Sequence, residues 1–169
     1  MKNTIKFPAR FFLVTFLFSW VIWTPLVLGS LGIIPVSGAL LSAARVPVVM
    51  LGAFGPLAGA LYDLRRREGK GSGKKYLHTF LDFRSGRRGY LLPILIFGGS
   101  TFAAWFLPEL WGEERLPMLL PSIWVFIPCL VFMLFVGGGQ EEFGWRGYAL
   151  PVLEKKFGLW YANIILGVI

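Results

Sequence analysis

Apolar side chains fall in four long runs, residues 11–28, 46–62, 90–107 and 121–136, separated by shorter segments that hold most of the charge. A helix needs about 20 apolar residues to cross a bilayer. The hydrocarbon leaves the backbone no partner but itself, which restricts such runs to helices or closed barrels. The pattern predicts an all-α, polytopic transmembrane bundle of four spanning helices. A fifth apolar stretch, 158–169, is too short to span and is expected to be the start of another helix, in a chain that is incomplete at its carboxy terminus. The first run follows Lys2, Lys6 and Arg10 and carries Trp20 and Trp23 towards its far end, where amphipathic rings favour the interface. It is long and no obvious Ala-x-Ala-like cleavage site closes it, so a retained helix is expected instead of a signal peptide. The second run contains Gly52, Gly55, Pro56 and Gly59. Gly55 and Gly59 lie one turn apart, a spacing that lets helix backbones approach, so this run is predicted to be a packing face with a proline kink.

Composition supports the same class. Hydrophobic residues make up 56% of the 169 residues, charged ones only 15%, and the mean hydropathy is +0.66. That balance excludes an ordinary soluble domain and predicts one integral membrane domain over 1–169. The net charge of +8 could suggest nucleic acid, but its distribution points elsewhere. Segment 64–89 holds Arg65, Arg66, Arg67, Lys70, Lys74, Lys75, Arg84, Arg87 and Arg88. Segment 29–45 has only Arg45, and 108–120 has Arg115 beside Glu109, Glu113 and Glu114. The positive-inside bias then puts the amino terminus and 64–89 in the cytoplasm. The partners expected are anionic lipid headgroups at 64–89, with no nucleic acid. Within that loop, 70–75 reads as a flexible linker. Cys129 sits in an apolar run without a basic neighbour and is expected to be inert packing.

The chemistry concentrates directly after the fourth run, in Gly137-Gly138-Gly139-Gln140-Glu141-Glu142-Phe143-Gly144-Trp145-Arg146-Gly147-Tyr148. Ionisable groups at a membrane edge are costly to keep. If 140–150 is helical, Glu142 and Arg146 pair at i and i+4, in the order that favours the ion pair. Glu141 points about 100° away and stays unpaired. A partly desolvated carboxylate without a counterion holds its proton more tightly and suits acid–base work. Gly144 and Gly147 leave room for a close helix neighbour. The same residues could also form an ordinary charged cluster at a helix end, with Trp145 and Tyr148 as interface anchors. Spacing alone leaves both readings open.

The stretch Gln140-Glu141-Glu142-Phe143-Gly144-Trp145-Arg146-Gly147-Tyr148-Ala149-Leu150-Pro151 resembles the EExxxR signature, with its GY-x-LP type tail, of the CPBP family. These are intramembrane, metal-independent glutamic endopeptidases related to the CAAX prenyl protease, also called the Abi family. The Gly55-to-Arg67 sequence GPLAGALYDLRRR is similar to the upstream helix and basic loop of bacterial members. The resemblance implies catalytic roles for Glu141, Glu142 and Arg146. Glu141 would activate the water that attacks the scissile peptide, and the other two would support the site. It implies neither cofactor nor metal, a peptide or protein substrate, and a bacterial plasma membrane. The family draws its further catalytic groups from histidines on later helices. Here the only histidine is His78, read as a solvated loop residue, although Tyr161-Ala162-Asn163-Ile164-Ile165-Leu166-Gly167 resembles the approach to the family's second motif. The motif region is 137–169, and the chain as it stands is expected to be inactive. A zinc protease is disfavoured because no His-Glu-x-x-His occurs. A secondary-transporter fragment and a non-catalytic immunity or interaction protein remain as alternatives.

Overall fold

The computed structural model describes residues 6–80, 86–114 and 123–169, and every regular element among them is helical. In chain order these are α1 (Ala9–Ser30), α2 (Gly38–Gly52), α3 (Gly55–Glu68), α4 (Ser72–Phe80), α5 (Gly86–Leu110), α6 (Ile123–Phe135), α7 (Gly139–Gly144), a π-helical turn (Trp145–Ala149), α8 (Leu150–Phe157) and α9 (Leu159–Val168). The chain packs as two units, one comprising Met1–Gly73 with Pro128–Ile169 and the other Lys74–Ile127.

In the first unit the 22 residues of α1 form one membrane-length helix, as the first apolar run predicts. The second run begins earlier than its apolar core suggests. Ser37 caps α2 by accepting a hydrogen bond from the Leu40 amide at 3.3 Å, so helix replaces the loop expected up to Arg45. Together α2 and α3 make a 31-residue segment, Gly38–Glu68, long enough to cross a membrane.

Its break at Ala53 and Phe54 has a clear cause. Pro56 has no amide hydrogen, so the Gly52 carbonyl four residues back loses its helical donor. The Ser19 hydroxyl of α1 donates to that carbonyl at 2.8 Å, and the Trp23 indole donates to Val49 O at 3.3 Å. Gly55 and Gly59 form the predicted packing face. A β-carbon on Gly55 would lie 2.7 Å from the Thr15 carbonyl oxygen, and one on Gly59 2.7 Å from that of Phe11. α1 and α3 therefore meet backbone to backbone.

The fourth apolar run does not make an independent span. α6 has 13 residues, about 20 Å of helix, against about 30 Å of hydrocarbon. It ends at the glycine triplet and, through a 41° bend, joins the continuous helical segment Gly139–Phe157. The four predicted spans are thus revised among the described residues. Two helices are long and apolar enough to cross, and the bent pair is a third if taken as one broken span. The first residues of the fourth run, 121 and 122, lie outside the described residues. The helix expected to begin at 158–169 is α9.

In the second unit the third run lies within α5, which is helical over 25 residues. The basic segment 64–89 differs from the loop predicted there. α3 continues through Arg65, Arg66 and Arg67 to Glu68, turns at Gly69 with a φ of 90°, and α4 starts at Ser72. The Ser72 hydroxyl ties that turn by donating to Gly69 O at 2.9 Å, so most of the expected 70–75 linker is ordered as helix. His78 sits exposed on α4, not in a loop. Arg84, the side chains of Arg87 and Arg88, and Arg115 lie outside the described residues.

Candidate active site

The Glu-Glu motif starts at a built break. Gly138 has a φ of 136°, a conformation that disfavours any residue with a β-carbon. A β-carbon on Gly139 would collide with the Leu134 carbonyl. Gln140, 1% exposed, spans the gap: its Oε1 accepts from the Gly138 amide at 2.9 Å and its Nε2 donates to Val136 O at 3.0 Å. One side chain thus satisfies a donor and an acceptor freed where the helix ladder stops.

Beyond the break, α7 lies directly on α3. A β-carbon on Gly144 would strike the backbone carbonyl of Pro56. The helix then widens over Trp145–Ala149, where the Leu150 amide bonds to Trp145 O five residues back. Pro151 gives a local reason, since its ring crowds the Gly147 carbonyl one turn earlier and a wider turn relieves that contact. Single π-turns recur at functional sites.

Two aromatic residues anchor the widened turn. Trp145 packs edge-on against Phe11 with ring centroids 5.3 Å apart, and near Phe16 at 6.3 Å. Tyr148 is 6% exposed and lies 5.5 Å from the Phe11 ring. Its hydroxyl donates to Asp63 Oδ2 on α3 at 2.7 Å. The same oxygen accepts from Arg67 Nε at 2.9 Å, and Asp63 is fully buried. Asp63 Oδ1, also buried, has no partner among the described residues. These placements contradict the interface-anchor alternative for Trp145 and Tyr148, because both rings pack inward on α1.

The carboxylates diverge as their helical phase requires. Glu142 pairs with Arg146 through Oε2 and Nη1, and both side chains are well exposed, at 47% and 72%. Glu141 is half-buried and has the Trp145 indole as its hydrogen-bonding neighbour. Neighbouring residues of one type therefore occupy unlike environments, one committed to a counterion and the other not. An exposed i,i+4 pair adds only about 0.3–0.5 kcal/mol, so the Glu142–Arg146 bridge does little for stability.

Three residues of the arrangement carried no assigned role in the sequence. Gln140 was visible only as the neighbour of the glutamates. Asp63 had one local signal, an acid four residues before Arg67 at the end of an apolar helix. Its bond to Tyr148 spans 85 positions and has no sequence signature. Tyr148 itself read as an anchor. Among the described residues, no three His, Cys, Asp or Glu side chains lie together as a metal site would require.

Comparison with known proteins converges on this segment. Residues 122–169 match the sequence model of a family described as type II CAAX prenyl endopeptidase Rce1-like. A 43-residue stretch is 42% identical to CAAX prenyl protease 2 of the archaeon Methanococcus maripaludis, covering 25% of this chain. The matched stretch spans 16% of that relative's length. No solved structure matches the chain. On the strength of the motif, the matched family and the archaeal relative, the segment 122–169 places this integral membrane chain in the CPBP, or CAAX protease, family.

Proposed function

We propose that the chain carries the glutamate half of an intramembrane, metal-independent endopeptidase site. The observation that supports this most is the division of labour between neighbours, with Glu142 paired to Arg146 and Glu141 half-buried beside an indole. In this reading Glu141 takes a proton from water as the oxygen attacks the scissile carbonyl carbon. The tetrahedral intermediate then collapses with that proton passing to the departing amine. General-base assistance of this kind contributes about 10²–10⁴-fold. Glu142 and Arg146 hold the outer face of the same turn in fixed register. The substrate class is a peptide or protein segment that reaches the motif from the membrane.

Family resemblance assigns further proton-transfer and oxyanion groups to histidines, and these 169 residues include only His78. The purified chain in lipid vesicles should therefore cleave quenched fluorescent peptides no faster than background. Cleavage that Glu141→Gln abolishes and chelators leave untouched would keep the glutamate chemistry and remove the need for a histidine partner. Cleavage that survives Glu141→Gln would sink the reading.

The basic segment supports a cytoplasmic amino terminus, in a bacterial plasma membrane if the likeness of residues 55–67 to bacterial members holds. Arg65, Arg66, Lys70, Lys74 and Lys75 are available to anionic headgroups, each worth about 1 kcal/mol near such a surface, while Arg67 is held by Asp63. A tag inserted at 70–71 should stay inaccessible to an impermeant label in intact cells and react after permeabilisation. Labelling from outside would invert the topology.

A further inference from the structure

We propose that Asp63 is a positioning residue for Glu141, acting through Tyr148 to hold the π-turn that keeps the two glutamates on different faces. The inference rests on the glutamate reading for its functional meaning, but its geometry stands alone. Four observations carry it.

First, Asp63 is a fully buried carboxylate on α3 whose Oδ2 collects both printed bonds, from Tyr148 at 2.7 Å and Arg67 at 2.9 Å. Charge-assisted bonds of this type are about twice as strong as neutral ones. A carboxylate buried at such cost has a reason beyond stability, since an apolar residue packs there more cheaply.

Second, Tyr148 belongs to the π-turn Trp145–Ala149. A π-turn amounts to one extra residue in an α-helix. Its loss would rotate one side of the helix against the other by about 100°, the angle per residue. A tie from inside the turn to a separate helix opposes that rotation.

Third, Trp145 opens the π-turn and is the hydrogen-bonding neighbour of Glu141. Trp145 and Tyr148 both pack on Phe11. Movement of the turn is thereby movement of the group beside Glu141.

Fourth, the start of the motif is fixed independently, by Gly144 on Pro56 and by Gln140 across the glycine break. With that end held, the Tyr148–Asp63 tie decides the phase of the other.

The test reads side-chain phase directly and needs no substrate. In the full chain, reconstituted in lipid with the single Cys129 replaced by alanine, a thiol is introduced by either Glu141→Cys or Glu142→Cys. The rate of maleimide modification is then compared at the two positions. The exposed position 142 should react faster than half-buried 141. Tyr148→Phe, which removes only the hydroxyl, should change that ratio by about threefold or more, as expected for loss of one buried hydrogen bond. Asp63→Leu should change it in the same direction, whereas Asp63→Asn, which keeps an acceptor for Tyr148, should change it less. A purely structural bond would lower the unfolding temperature and leave the ratio in the folded protein alone. An unchanged ratio in folded Tyr148→Phe overturns the proposal, even if Asp63→Leu fails to fold. Because labelling is independent of hydrolysis, failure of the glutamate chemistry would show separately, as activity that survives Glu141→Gln.

Discussion

Gly144→Val should lower stability by about 3 kcal/mol, the upper end of the overpacking range, and loosen α7 from α3. The size of the effect follows from what the new side chain meets. At Gly144 even a β-carbon strikes the Pro56 carbonyl, and main chain cannot rotate aside as a flexible side chain can. At Gly73, by contrast, the nearest obstacle is the tip of the Leu61 side chain at 3.2 Å, which yields cheaply. Pro56 has little freedom of its own, because it opens α3 and its φ is fixed by the ring. Relief would have to come from separating the helices, with loss of the Tyr148–Asp63 bond and the Trp145–Phe11 contact behind them. Thermal unfolding in detergent measures this. Gly167→Val serves as the control, since a β-carbon there meets nothing within 4 Å. Equal effects at the two positions would mean that the α3–α7 approach is not a tight contact.

That contact shows which parts of the fold are written locally. Gly55 and Gly59 were legible as a packing face because small residues at a one-turn spacing have one common use in membranes. Glu142 and Arg146 were legible because helical periodicity alone brings i and i+4 together. The kink at Pro56 was legible too, although the device that completes it was not. Ser19 lies 33 positions from the carbonyl it satisfies, and nothing in its neighbourhood marks it.

Errors arose where a pattern counts apolar residues without asking what ends a helix. Residues 121–136 read as a span because their side chains are apolar, yet Gly138 at positive φ and the Gln140 bridge end α6 at Phe135 and bend the chain there. The start of α2 was placed late because the Gly38–Arg45 turns are only moderately apolar, while the Ser37 cap decides where helix begins. Segment 64–89 read as loop because it is charged, but charge at a helix end is compatible with helix and leaves basic groups near the last carbonyls. The π-turn has no periodicity of its own. It depends on Pro151 within the chain and on Phe11 and Asp63 outside it.

The same distinction separates the two halves of the motif. Glu142 and Arg146 find each other within one helix, and their exposed bridge contributes little to folding. Glu141 takes its environment from Trp145, and Trp145 takes its place from α1. The residue with the sharper chemical role is thus the one whose setting is tertiary.

The most direct test of that role grafts residues 122–169 over the corresponding segment of the archaeal CAAX prenyl protease 2, which shares 42% identity with this chain over 43 residues. A segment that is a competent glutamate half-site should leave the graft able to cleave that protease's substrate. Glu141→Gln in the graft keeps the shape of the side chain but cannot accept a proton, and it should reduce the rate by about a thousandfold, within the range of lost general-base catalysis. Glu142→Gln should cost less, because it weakens a supporting ion pair and leaves the base in place. The measurement is the initial rate of peptide release by the graft and its two variants at equal folded concentration. A rate that collapses with Glu141→Gln is the predicted result, and an active graft indifferent to Glu141→Gln would contradict the account.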